Sequence, residues 1–123
     1  EAWLRGEARA AVERRVAVRA RDLGVTAGRP SIRDQRSRWG SASRRGALSF
    51  SWRLVLAPPW ILDYVVVHEL THLLVHGHGP EFWRWVARYP QAERARGFLD
   101  GVSATANLDM TADDEDEGEP AET

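Results

Sequence analysis

Cysteine is absent from this 123-residue chain, which excludes disulfides and thiolate metal ligands. Any metal site must therefore be built from His, Asp or Glu. No apolar run is long enough to cross a membrane. The longest, Trp60 to Val67, is about half the ~20 residues required and is interrupted by Asp63. The opening residues, EAWLRGEARA, are charged where a secretory leader would be apolar, so no signal peptide is expected. A cytoplasmic protein with no membrane partner fits these absences. Lysine is missing too: all 17 basic residues are Arg, and all precede Gly97. Of the 18 acidic residues, 11 lie at or before Asp109 and the rest fall in the final stretch, so the first part carries a net charge of +6 (17 against 11). This divides the chain into one small domain over 1–109 and an acidic tail over 110–123. The tail has almost nothing to bury and is expected to be disordered.

Leu4, Ala8, Val12 and Val16 recur every four residues among Arg and Glu, which predicts an amphipathic helix over Trp3–Leu23, stopped by Gly24. After Pro30, Ile32, Asp34 and Arg36 alternate with their neighbours, as do Leu48, Phe50 and Trp52. The two runs flank SASRRG and predict a hairpin, with Gly40 placed for a bulge or a close backbone approach. Pro58 and Pro59 suit the first turn of a helix. The pattern Ile61, Tyr64, Val65, His68, Leu70 and Leu73 then predicts a buried helix running to Gly77. A further helix starts at Pro80 and is broken by Pro90, and QAERARGFL supplies a short final helix or turn.

The four histidines of the chain, His68, His72, His76 and His78, fall within eleven positions. His68-Glu69-Leu70-Thr71-His72 is the pattern H-E-x-x-H. Residues four apart share a helix face, so His68 and His72 can reach one zinc ion. Glu69 is then beside the metal and placed to act as a general base on a water molecule. Without a metal, burying Glu69 between two histidines would cost several kcal/mol. A catalytic zinc site takes three protein ligands and one open position. On a continuous helix His76 would lie about 12 Å from His68, from ~1.5 Å per residue, too far to share an ion. The third ligand must come from beyond the helix end. Two residues offer it: His78, between Gly77 and Gly79 where the chain is free to reverse, and the carboxylate Glu81. His76 is left as a substrate contact or an exposed histidine at the helix end.

With these residues placed, the chain resembles the YgjP-like zinc metallopeptidases, relatives of the SprT-like and minimal gluzincin-type proteins. Three blocks carry the likeness: IRDQRSRWGSAS, GALSFSWRLVLAPP and DYVVVHELTHLLVHGHGPEFW. The resemblance implies that His68, His72 and His78 are the zinc ligands and Glu69 the general base. It also implies a small α/β (α+β) zincin-like domain: an N-terminal helix, a short twisted sheet with a hairpin, the H-E-x-x-H helix and supporting C-terminal helices. Phe82, Trp83 and Trp85 would pack beneath the site. Family members often have Cys where this chain has Ala42, so a thiol there is not needed for the chemistry. They also tend to carry an N-terminal β-rich region not seen in this stretch, which implies a more open cleft.

The resulting expectation is a zinc-dependent peptidase acting on a polypeptide. A second donor is then needed for the oxyanion, with Tyr64, His76 and Arg38 as candidates. The strand Leu48–Trp52 is expected to offer an edge to an extended substrate. Two other readings compete. Arg33, Arg36, Arg38, Arg44 and Arg45 form a cluster suited to phosphates, which would make a nucleotide the substrate of a pyrophosphatase. Against it, no P-loop is present, and three imidazoles are not the oxygen-rich surroundings that magnesium-nucleotide chemistry favours. The other is a non-catalytic zinc-bearing module binding nucleic acid or a partner. No nucleic-acid motif is present, so direct nucleic-acid binding is not expected.

Overall fold

The computed structural model describes residues 2–34 and 38–106, with the side chains of 103–106 left aside. Arg36, the boundary at Asp109 and the acidic tail lie outside those residues. The first helix, α1, spans Ala2–Leu23 and buries Ala8, Val12, Val16 and Ala20, so the stripe read from the sequence is shifted by one turn: Leu4 is only half-buried and Ala20 takes the fourth place. It closes at Gly24, where Val25 N–H donates to Ala20 O at 3.0 Å and Gly24 N–H to Arg21 O at 3.2 Å, a Schellman pair that satisfies its last carbonyls.

Three short strands follow: β1 (Ser31–Arg33), β2 (Gly40–Ala42) and β3 (Leu48–Ser51), in the spatial order β1-β3-β2. β2 and β3 form an antiparallel hairpin with Gly40 opposite Phe50, while β1 joins β3 in parallel, with Ile32 beside Phe50. The expected hairpin thus exists, but its first arm is Gly40–Ala42 and not the Ile32 segment. A short turn joins Ala42 to Leu48 directly, whereas a parallel strand needs a longer connection and takes the other side of β3. The expected edge at Leu48–Trp52 is corrected as well. β3 is hydrogen-bonded on both sides, so its backbone is not available, and the sheet edges are β1 and β2. Trp52 leaves the strand because Ser51 Oγ accepts from Arg53 N–H at 3.2 Å and starts a 3-10 turn over Trp52–Leu56.

The second helix, α2 (Pro59–Thr71), is the centre of the molecule: every residue from Ile61 to Thr71 is buried. It packs against α1, β2, α3 (Pro80–Val86) and α4 (Ala92–Ala106). Leu48 and Phe50 of β3, Val12 and Val16 of α1, and Phe82, Ala95 and Leu99 share one core with it. The helix stops at Thr71, not Gly77. Its end tightens into shorter bonds, from His72 N–H to Glu69 O and from Leu73 N–H to Leu70 O, and His72 becomes the C-cap. Four helices and a three-stranded mixed sheet make an α+β domain. None of the described helices is long and apolar enough to cross a membrane.

Candidate metal centre

His68 lies in the last turn of α2, His72 caps that helix, and His78 returns from the loop that follows. The return starts at Gly77, whose φ of +82° is a conformation that side-chain-bearing residues avoid. One ligand atom from each of the three histidines lies within 4.8 Å of the others. His78 Nε2 and His68 Nε2 are 3.2 Å apart. Two nitrogens bound tetrahedrally to one zinc at ~2.0–2.1 Å would be about 3.3–3.4 Å apart. The spacing is therefore that of one edge of a zinc coordination shell, and the donor set fits the ion. Glu81, the alternative third ligand, is exposed and outside this group, and so is His76.

The surroundings set ring orientation and charge. His72 Nδ1 faces Val75 O at 3.4 Å, a long contact that favours the proton on Nδ1 and leaves Nε2 as the ligand atom. The His72 ring stacks on Phe82 at 4.4 Å. The His78 ring stacks on Trp83 at 5.7 Å, and Trp83 Nε1 donates to His78 O at 2.9 Å. Phe82 and Trp83 thus pack around the site as expected. Trp85 does not share that stack; its ring lies under the Arg88 guanidinium at 4.6 Å. Burial, the neighbouring imidazoles and the charge of Arg96 push His68 well below its ordinary value. Burial first and then His78 lower His72 to about 3, and burial with Arg96 lowers His78 to about 4. All three rings are neutral near pH 7, as a cation requires.

These shifts set an acid sensitivity. In the unfolded chain imidazoles protonate near pH 6.5, whereas in the folded, metal-free protein His72 and His78 resist protonation until about pH 3 and 4. Between those values the unfolded state binds more protons, so folding stability falls as the pH drops from 6.5 towards 4. Urea midpoints measured in chelator at pH 7.5 and 5.0 are expected to be clearly lower at pH 5.0; equal midpoints would contradict these shifts.

Glu69 is fully buried, directly beneath β2. A Cβ on Gly40 would lie 3.1 Å from Val65 Cγ1, 3.2 Å from Glu69 Cγ and 3.2 Å from Ser49 O. The close approach expected of Gly40 is therefore real, and its neighbour is the stem of Glu69. Gly40→Ala is expected to cost about 1–3 kcal/mol, because backbone and helix confine the new methyl from opposite sides. A thermal melt lowered by several degrees is the expected reading, and an unchanged melt would mean that β2 and α2 separate freely.

Of the other residues singled out, Tyr64 is buried, with its ring edge-on to His68 at 5.9 Å and tilted against Tyr89 at 6.2 Å. Arg38 is half-buried just before β2, and His76 is exposed beyond the helix end. The arginines read as one cluster are divided: Arg33 stands on β1 beside Ser51, while Arg44 and Arg45 occupy the turn beyond Leu48, at the opposite end of β3 and across the sheet. The sequence reading missed Arg96. Its guanidinium sits 4.0 Å from the centre of the Trp83 ring, and its charge acts on His68 and His78. No local pattern marks it, since it comes from α4, 18 positions beyond His78.

Residues 1–101 match the protein family described as YgjP-like, metallopeptidase domain. In structure the chain is similar to the metallopeptidase zymogen of Pyrococcus abyssi abylysin. The TM-score is 0.67 at 23% identity, and the likeness covers 80% of this chain and 98% of that one. At that identity it speaks for the fold alone. Among curated proteins, none matches the chain.

Proposed function

Because the chain belongs to the YgjP-like metallopeptidase family, we propose that it hydrolyses peptide bonds at a single zinc site held by His68, His72 and His78, with Glu69 as the general base. The observation that carries this reading is the convergence of the three imidazoles, ligand atoms within 4.8 Å of one another. A zinc ion in that position supplies Lewis acidity, which favours deprotonation of water and polarises a carbonyl. The rest is the work of the chain. Glu69, next to His68 in the sequence and held from above by β2, takes a proton from the attacking water. The oxygen of that water bonds to the scissile carbon, the C–N bond breaks, and Glu69 returns the proton to the leaving amine. The peptide main chain has β2 as its pairing partner, since β2 is the sheet edge that lies against α2.

The nucleotide reading drew on an arginine cluster from which the sheet separates Arg33, at the opposite end of β3 from Arg44 and Arg45, so we do not retain it. The domain over 1–109 and the tail over 110–123 remain our division of the chain. The test is one product analysis by mass spectrometry. Zinc-loaded protein is incubated with an unfolded polypeptide and a nucleoside triphosphate together, beside a Glu69→Gln control. Peptide fragments that disappear in the control are expected. Nucleoside monophosphate in their place would overturn the reading.

A further inference from the structure

We infer that Arg96 is a positioning residue of the metal centre: stacked on Trp83, it braces a side chain that holds His78 by both ring and backbone. The inference rests on the zinc site proposed above, and its test does not depend on what that site hydrolyses. His78 is the candidate ligand least fixed by its own backbone. His68 and His72 leave from the end of α2, whereas His78 stands between Gly77 and Gly79 in the loop before α3. Glycine restrains a chain less than any other residue, so the ring has to be held by its neighbours. Trp83 holds it twice. The two rings stack at 5.7 Å with 29° between their planes, and Trp83 Nε1 donates to His78 O at 2.9 Å. The same indole lies edge-on to His68 at 5.9 Å. Groups that orient a metal ligand in this way usually contribute about 10–100-fold to metal affinity.

Trp83 is itself only half-buried, on a helix of seven residues. Its backing comes from α4. The Arg96 guanidinium carbon lies 4.0 Å from the centre of the indole, closer than in the other guanidinium–ring contacts among the described residues. That guanidinium starts from a fixed backbone, because Ala95 and Leu99 on the same helix are fully buried in the core. Contact accounts for Arg96 better than charge does. Its charge reaches His68 and His78, and beside a site for a dication a positive charge repels the ion. What Arg96 offers the ion is the stack on Trp83, through which α4 holds His78 in place before anything binds.

Zinc affinity of the full chain, read by competition with a chromophoric chelator, separates contact from charge by its sign. Arg96→Gln protein is expected to bind zinc about two- to fivefold more weakly, the scale of one exposed guanidinium–indole contact. A role through charge alone predicts the opposite, tighter binding once the repulsion is gone. The deficit is expected to be larger in 0.5 M salt, where the Debye length is about 4 Å and the repulsion is screened in both proteins. Trp83→Ala is expected to weaken zinc by about tenfold or more. Adding Arg96→Gln to it is expected to cost nothing further, since no ring is left to brace. Should Trp83→Ala fail to fold, Trp83→Leu, which fills more of the space, takes its place. Unchanged or tighter zinc binding by Arg96→Gln protein overturns the inference. So does a deficit that disappears in 0.5 M salt, or one that is equal with and without Trp83. Weakened zinc in Arg96→Gln protein, with no peptide cleavage by the unsubstituted protein, would support the positioning role and overturn the peptidase reading. An unsubstituted protein that binds no zinc overturns both.

Discussion

Glu69→Gln protein is expected to keep its zinc and to lose about 10²–10⁴-fold in peptide turnover, the usual contribution of a positioned general base. The amide has nearly the shape of the carboxylate, so the packing of Gly40 against the Glu69 stem is preserved. His78→Ala is expected to behave differently and lose the metal as well. Four-ligand zinc sites bind with about 10–16 kcal/mol, or roughly 3–4 kcal/mol per ligand, so one lost imidazole lowers affinity by about 10²–10³-fold. His76→Ala and Glu81→Gln are the controls, because both residues stand outside the converging group. Competition with a chromophoric chelator gives the affinities, and a quenched peptide gives the rates. If His76→Ala lost zinc while His78→Ala held it, the assignment of the third ligand would be wrong.

A second large effect is expected far from the metal. Asp63 is 7% exposed and faces α1. Its Oδ1 accepts from Arg15 Nε and Arg19 Nε, both at 3.0 Å, and its Oδ2 from Arg19 Nη2 at 2.7 Å. Burial pushes the Asp63 carboxyl up, but the hydrogen bonds from Arg19 and Arg15 outweigh it and hold the group below its ordinary value. Removing one partner of a fully buried ion pair costs about 3–5 kcal/mol, because a charge is stranded. Here the side chains of Arg15 and Arg19 retain 37% and 25% of their exposure, so both can rehydrate in part. Asp63→Ala is therefore expected to cost less, about 2–3 kcal/mol, read as a lower urea midpoint at unchanged slope. Asp63→Asn, which keeps one acceptor oxygen, should lose less. A loss under 0.5 kcal/mol for the Ala variant would show that apolar packing alone joins α1 to α2.

The sheet shows where reading by local pattern stops working. Alternation around Ile32 and around Phe50 correctly marked two strands and the turn before Leu48. Yet it made the Ile32 strand the antiparallel arm of the hairpin, whereas that strand pairs with Phe50 in parallel and the arm is Gly40–Ala42. In the fold Phe50 stands between Gly40 and Ile32, and both of its neighbours are set by contacts across the sheet. The helix end is a similar case. Leu73, Leu74 and Val75 contain no breaker, so the apolar pattern continued to Gly77, although the backbone turns tighter after Thr71 and releases His72 as a cap.

What the sequence determined by itself was whatever depends on near neighbours. His68 and His72 share a face because an α-helix places residues four apart together. His78 can return because two glycines flank it, and α1 buries its Ala8 to Val16 stripe because the period is helical. The family followed from three blocks in their order. Tertiary structure alone decided the rest: that β3 is central and β2 is the edge, that Gly40 presses on Glu69, that Arg96 reaches the histidines from α4, and that Arg44 and Arg45 line a cleft with His72 while Arg33 does not. Each of these joins segments far apart in the chain. Their meeting depends on how whole elements pack around α2, which no spacing within one element encodes.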